Sequence, residues 1–263
     1  MRLPWRMPRA RARVAFLPTD RTGFTVHRDV ALRLRNLSID LRASPPDEAP
    51  AVEGFKIRVA SSPQARREAS SLVRERYARR GYLTSATLLS AHSCTLSAYD
   101  EGRLSGTVSL RLDSEHGLAA DELYGTETRN LREQGRRICE FTRLAVDTTH
   151  ISYPVLAALF HTVFLFAQKV RGFDYALIEV NPRHVGYYQR ALGFHVIGGQ
   201  RHNARVNAPA VLMGLPFADI AARLERHAGK RKGGALARNL YEHAFSKAEA
   251  EGILGRLRKL DAG

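Results

Sequence analysis

Apolar and polar positions change period several times along this chain, from about 3.6 residues to two and back, and the order of those changes predicts its elements. Phe55-Lys56-Ile57-Arg58-Val59 alternates apolar with basic residues, the pattern of a half-buried strand. Pro63 opens a helix in which Ala65, Ala69, Leu72, Val73 and Tyr77 recur at helical spacing, and Gly81 ends it. Residues 94–99 and 104–112 read as a hairpin around the turn Asp100-Glu101-Gly102. A helix is expected over 121–132 and a strand over 138–146. Pro154 starts a long helix over 155–169, with an apolar band through Val155, Leu159, Val163 and Phe166, and Gly172 stops it. Residues 175–180 read as a buried strand and 185–191 as a short helix. Strands follow near 194–197 and 210–213, and two more helices over 216–227 and 234–260. Helices and strands that alternate in this way specify an α/β layer fold.

Composition narrows the picture. The chain has 263 residues, 44% hydrophobic and 25% charged, enough to bury a core and too apolar for a disordered chain. Proline-rich Ala43-Ser44-Pro45-Pro46-Asp47-Glu48-Ala49-Pro50 reads as a linker, which divides the chain into a basic N-terminal extension (1–53), a central domain (54–217) and a helical C-terminal extension (218–263). No run of about 18 apolar residues occurs, since 155–167 is interrupted by His161 and Thr162. Residues 1–18 are Arg-rich, carry Pro4, Pro8 and Pro18, and lack the apolar centre of a secretory signal. Cys94 and Cys139 are too few for a disulfide scaffold or a cysteine-built zinc site, and a cytoplasmic location is expected.

Charge raises a question about partners. Lys and Arg number 41 against 26 Asp and Glu, a formal net charge of +15. The excess is spread, with +4 on residues 1–53, +7 on 54–217 and +4 on 228–263. Aromatics are not interleaved with the arginines, which argues against nucleic acid and leaves an acidic protein, a lipid surface or a uniformly Arg-rich composition.

Two stretches carry a family resemblance. Ile138-Cys139-Glu140-Phe141-Thr142-Arg143-Leu144-Ala145-Val146, followed by a long helix, resembles the corresponding strand of acyl-homoserine lactone synthases. Ile178-Glu179-Val180-Asn181, then Tyr187-Tyr188, then Leu192-Gly193-Phe194 resembles the C-terminal half of the GNAT acyltransferases. Together with Asn181-Pro182-Arg183-His184, the combination looks most like the long-chain N-acyl amino acid synthases, over residues 55–217. The resemblance implies a GNAT-like fold, a mixed and mostly antiparallel central sheet flanked by helices. It also implies an enzyme that moves a fatty acyl group from an acyl-carrier protein thioester to the α-amine of an amino acid by direct attack. Where coenzyme A-dependent members carry a Gly-rich turn for the diphosphate, this chain has Asp147-Thr148-Thr149-His150-Ile151-Ser152-Tyr153-Pro154, without glycine and with an acid. That departure favours acyl-phosphopantetheine on acyl-carrier protein over acyl-coenzyme A, with no tightly bound cofactor. An acidic carrier protein would also answer the basic charge, and a lipid product would bring peripheral membrane contact.

Such chemistry needs a base for the α-ammonium, a polarised carbonyl and a proton for the leaving thiolate. Glu140 is the candidate base, because a carboxylate inside an apolar strand is either functional or paired, here with Arg143. Strict alternation would put Glu140 and Thr142 on one face and Arg143 on the other. A β-bulge, which GNAT folds carry here, would bring both Glu140 and Arg143 to a cleft and free the backbone N–H groups of Leu144, Ala145 and Val146 as an oxyanion site. Arg143 and Arg183 are candidates for the substrate carboxylate, with Thr142, Asn181 and His184 beside them. Tyr188 is the candidate proton donor and Tyr187 its competitor; packing is the alternative reading of both rings. Phe160, Phe164, Phe166, Leu88 and Leu89 are candidates for an acyl tunnel, with core packing as the alternative. Competing readings are an acyl-homoserine lactone synthase, a coenzyme A-dependent acetyltransferase, and a module of this fold that only binds acidic partners.

Overall fold

The computed structural model describes residues 37–41, 55–83, 93–100, 102–147, 153–229 and 239–262. In chain order the elements are β1 (Ser38–Leu41), β2 (Phe55–Val59), α1 (Pro63–Ala78), β3 (Ser93–Asp100), β4 (Arg103–Leu112), α2 (Asp121–Glu133) and β5 (Ile138–Val146). There follow α3 (Tyr153–Phe164) with a π turn (Leu165–Val170), β6 (Tyr175–Val180), a 3₁₀ turn (Pro182–His184), α4 (Val185–Leu192), β7 (His195–Asn203) and β8 (Ala208–Pro216). α5 (Phe217–His227), a second 3₁₀ turn (Leu240–His243) and α6 (Lys247–Ala262) complete the described chain.

The strands form one sheet in the order β1-β2-β3-β4-β5-β6-β8-β7. Among the described strands only β5 and β6 run parallel, because α3 carries the chain back across the sheet between them. Alternation sorts the two faces. Cys139, Phe141, Ala176, Ile178, Met213 and Leu215 belong to the larger core with α3, the π turn and the C-terminal helices. Ile138, Tyr175, Leu177 and Leu212 turn the other way and pack with Tyr124 of α2. α1 is fixed on that second side by Leu72 and Val73 against Ala145. Its start is set by Ser62, whose Oγ accepts from Ala65 N–H at 3.1 Å, with Pro63 at the first helical position.

Two irregularities position the site. β5 and β6 pair only at Ile138–Tyr175, Cys139–Ala176 and Glu140–Leu177, and beyond these pairs the strands separate. On its other edge β5 carries the expected bulge. Thr142 faces Ser109 and Ala145 faces Thr107, so two residues, Arg143 and Leu144, oppose Val108 alone. Arg143 takes a left-handed φ of 53°, which a non-glycine residue adopts only where its surroundings hold it there.

Elsewhere the structure departs from the pattern reading. The N-terminal extension is not linker throughout. Leu37-Ser38-Ile39-Asp40-Leu41 adds an edge strand to β2, with Leu37 and Ile39 fully buried. Its alternation is only a few residues long and sits in an Arg-rich context, so it gave no clear signal. The long helix ends in a π turn, with Arg171 N–H reaching back to Phe166 O at 3.0 Å, so that Leu165, Phe166 and Ala167 are all buried. By length and composition Tyr153–Val170 could cross a membrane, contrary to the residue-by-residue reading, but most of it is buried inside this protein. β7 and β8 are longer than expected because register shifts near Gly198 break the alternation of β7. The helix expected over 234–260 is two elements: Asn239 caps the 3₁₀ turn, and a Ser246/Glu249 capping box starts α6. Both belong to the main core through Leu240, Tyr241, Ile253 and Leu257. The residues read as linker (43–50), the N-terminal 1–18, Leu88, Leu89 and loop residues 148–152 lie outside the described residues.

Because Ile39 is fully buried and faces Ile57, Ile39→Ala is expected to cost about 2–5 kcal/mol, read as a lower urea midpoint at unchanged slope.

Candidate active site

A cleft of about 670 Å³ opens where β5 and β6 separate. β5 lines it from Glu140 to Val146, β6 from Ile178 to Val180, α1 with Arg76 and Tyr77, α4 with Tyr187 and Tyr188, and the β7–β8 connection with Asn203 and Arg205.

Glu140 sits at the last parallel pair, 1% exposed. Its Oε2 accepts from the N–H groups of Ala119 (2.8 Å) and Ala120 (3.4 Å), which lead into α2. Oε1 makes no hydrogen bond among the described residues, and Glu140 lines the cleft. Burial, reinforced by the charge of Glu179, pushes the carboxyl up to about 7, against the smaller opposing pull of the Ala119 amide. Glu179 lies two residues beyond the paired part of β6 and faces the same side. It is held by Arg205 at 2.5 Å and by Asn203 Nδ2 at 2.6 Å, and burial raises it also. The site therefore contains two carboxylates. The more buried one is poised to exchange a proton near neutral pH, and the other is fixed by a guanidinium.

The bulge brings Arg143 into the same cleft as Glu140, as expected. Thr142, Leu144, Ala145 and Val146 also line it. Asp147 N–H donates to Ser105 O at 2.7 Å on the β4 side, so strand alternation turns the Val146 N–H the other way, toward the gap left by β6. Asp147 does not present a bare negative charge, because Arg76 holds its carboxylate at 2.7 Å. That pair removes one of the two reasons drawn from the sequence for disfavouring a diphosphate here.

At the far wall, Asn181 ends β6 and fastens it. Its Oδ1 accepts from Arg183 N–H and its Nδ2 donates to Pro209 O, both at 3.2 Å. His184 Nε2 faces the guanidinium groups of Arg80 (2.7 Å) and Arg183 (3.2 Å), and burial together with these two charges lowers its pKa, keeping it neutral. Arg183 is not part of the cleft wall. It lies exposed at the rim, over the ring of Tyr82 (5.2 Å) and donating to its hydroxyl at 2.7 Å. Tyr187 and Tyr188 both reach the cleft, edge to face at 5.4 Å, and burial raises both phenols, so each keeps its proton at neutral pH. Tyr77 joins them, pushed up to about 12 by burial. Of the proposed tunnel residues, Phe160 lines the cleft, Phe164 lies deeper, and Phe166 is packed in the core.

Residues 68–216 match the family profile of the N-acyl amino acid synthase FeeM. The chain belongs to this family. Among solved structures, FeeM from uncultured soil microbes is 30% identical, with a TM-score of 0.59 over 63% of this chain and 93% of that one. A putative N-acetyltransferase from Lactobacillus plantarum is 16% identical over 62% of this chain and 98% of its own, with a TM-score of 0.46. The acyl-homoserine lactone synthase LasI is 10% identical over 62% and 90%, with a TM-score of 0.45. No curated protein matches. This FeeM-family chain is therefore an N-acyltransferase with a GNAT-like fold.

Sequence reasoning missed Glu179, Asn203, Arg205, Tyr77 and Arg80. Glu179 carried the same signal as Glu140, an acid inside a buried strand. Arg205 and Asn203 lie in a polar turn with nothing to distinguish them, and only the antiparallel return of β8 against β6 brings them to Glu179.

Since Glu140 titrates higher in the folded protein than its ordinary value of 4.5, the folded state binds the extra proton between about 4.5 and 7. This contribution to stability is complete below that window and is lost as pH rises through it. Glu140→Gln removes that slope, so urea midpoints of the two proteins should diverge across pH 4.5–7 and run parallel above it. Glu179→Gln should lower the Glu140 pKa, read from the carboxyl ¹³C shift of Glu140 against pH.

Proposed function

We propose that this enzyme transfers a fatty acyl group from the phosphopantetheine thioester of an acyl-carrier protein to the α-amine of an amino acid. The observation that carries the proposal is a buried carboxylate near neutral pKa, Glu140, at the strand separation and three residues along β5 from a bulge, beyond which the Val146 N–H points to the gap. Glu140 Oε1 takes a proton from the α-ammonium, directly or through one water, and the freed amine attacks the thioester carbonyl. The C–N bond forms, and the oxyanion is held by the Val146 N–H, with Leu144 and Ala145 completing the curved wall. The tetrahedral intermediate loses its second amine proton to solvent and collapses with cleavage of the C–S bond, and Tyr188 O–H protonates the thiolate. Arg143 matches the substrate carboxylate, with Thr142 and His184 beside it. Arg79, Arg80 and Arg183 stand exposed where α1 and the 3₁₀ turn meet the cleft rim, which supports an acidic protein as donor.

Purified protein given dodecanoyl-carrier protein and each of the twenty amino acids should release free carrier thiol with at least one, with the matching N-acyl mass appearing. Release with none of them sinks the proposal, and efficient use of acetyl-coenzyme A would overturn the donor. Glu140→Gln keeps an acceptor for Ala119 N–H and should fold and bind carrier protein normally, yet transfer about 10²–10⁴-fold more slowly.

A further inference from the structure

Behind the cleft lies a second, much smaller void of about 30 Å³ that shares two walls with it, Phe141 and Phe160. The two rings stand 6.2 Å apart, and each faces both the cleft and the void. Beyond them the lining is Ala157 of α3, Ile220 of α5, and Leu240 and Ala244 of the C-terminal segment. Two polar side chains border it, and both bond elsewhere: Tyr241 O–H donates to Leu192 O at 2.8 Å, and His161 Nδ1 accepts Phe245 N–H at 3.2 Å. An apolar void without polar partners stays dry and receives an apolar group at little cost. Protein interiors are otherwise closely packed, so a gap that adjoins the cleft of an acyltransferase is a place where a chain end can enter.

We infer that the void is the end of the acyl-chain site, with Phe141 and Phe160 as its door and the segment around Leu240 and Ala244 as its end-stop. The C-terminal extension thereby sets the longest acyl chain the enzyme accepts. This rests on the transferase reading given above and adds a specificity role for residues beyond the matched family region, which stops at 216. The end-stop is rigid. The Tyr241 hydroxyl ties it to the end of α4, the Phe245 ring stacks on His161 at 5.0 Å, and Asn239 caps its 3₁₀ turn. A chain that reaches it meets a wall that does not yield, and one methylene too many in such a pocket is discriminated by about tenfold or more.

The test is competition in one vessel between carrier-protein thioesters of a series of chain lengths from eight to eighteen carbons, with product ratios read by mass spectrometry. The ratio is independent of how much enzyme survives folding. Ala244→Val narrows the end and should move the preferred length down, with the longest accepted chain falling about tenfold against its shorter neighbour. Leu240→Ala deepens the site and should move it up. Opposite shifts in the two variants support the inference. Unchanged ratios, or a shift in the same direction in both, overturn it while leaving the transferase reading intact. If the wild type transfers no acyl group at all, the transferase reading has failed, and calorimetry with dodecanoate and hexadecanoate on the same three proteins decides the void. Affinities that change in opposite directions in the two variants support an end-stop for an acyl chain, and identical affinities overturn it.

Discussion

The site depends on the brevity of the parallel pairing between β5 and β6. β5 and β6 stay together for three residue pairs and then diverge, and a cleft opens where they part. Parallel neighbours need a crossover, and here α3 and its π turn supply it from the larger core face. The divergence leaves one edge of β5 without a strand partner past Glu140, and the bulge at Arg143 and Leu144 bends that same stretch. Unpaired backbone groups inside a protein are costly unless something meets them, so a ligand's carbonyl oxygen is the group that this arrangement suits.

Electrostatics follow from the same geometry. Glu140 is the last residue before the gap, so it is buried by the sheet on one side and open to the cleft on the other. Burial favours its protonated form, and two amides leading into α2 hold one oxygen in place. Glu179 opposes its ionisation from the facing strand, and Arg205 and Asn203 hold that second carboxyl in place. Arginine matches two of the carboxylates at the cleft, Arg205 at Glu179 and Arg76 at Asp147, and Arg143 lines the cleft from the bulge. Those pairs cancel charge inside the site, whereas exposed arginines at its rim, Arg80 and Arg183, add to the net positive charge.

The segments outside the central region belong to the same body. β1 completes one edge of the sheet through Leu37 and Ile39, and Ile253 and Leu257 of α6 close the core over the π turn. The aromatic wall at Phe141 and Phe160 therefore has the reaction cleft on one side and C-terminal residues on the other, which gives a terminal segment a means of influencing the acyl group.

What sequence alone determined was local. Period, proline and glycine placed β2, α1, the β3–β4 hairpin, β5, β6 and α4 within a residue or two, because each follows from contacts among near neighbours. The isolated acid in an apolar strand marked Glu140 by the cost of burying it, and Asn181 by its place at a strand end. Tertiary structure decided the rest. β1 is too short to read without its partner at Ile57, and the break before α6 depends on what Leu240 and Tyr241 pack against. The partners of Glu140 are the amides of Ala119 and Ala120 rather than a nearby side chain on its own strand. Arg183 looked as suitable as Arg143 on chemistry, but the 3₁₀ turn directs it to Tyr82 at the rim while a left-handed φ at Arg143 turns that residue inward. A side chain's neighbours across a sheet are set by register and strand divergence, and those depend on residues far apart in the chain.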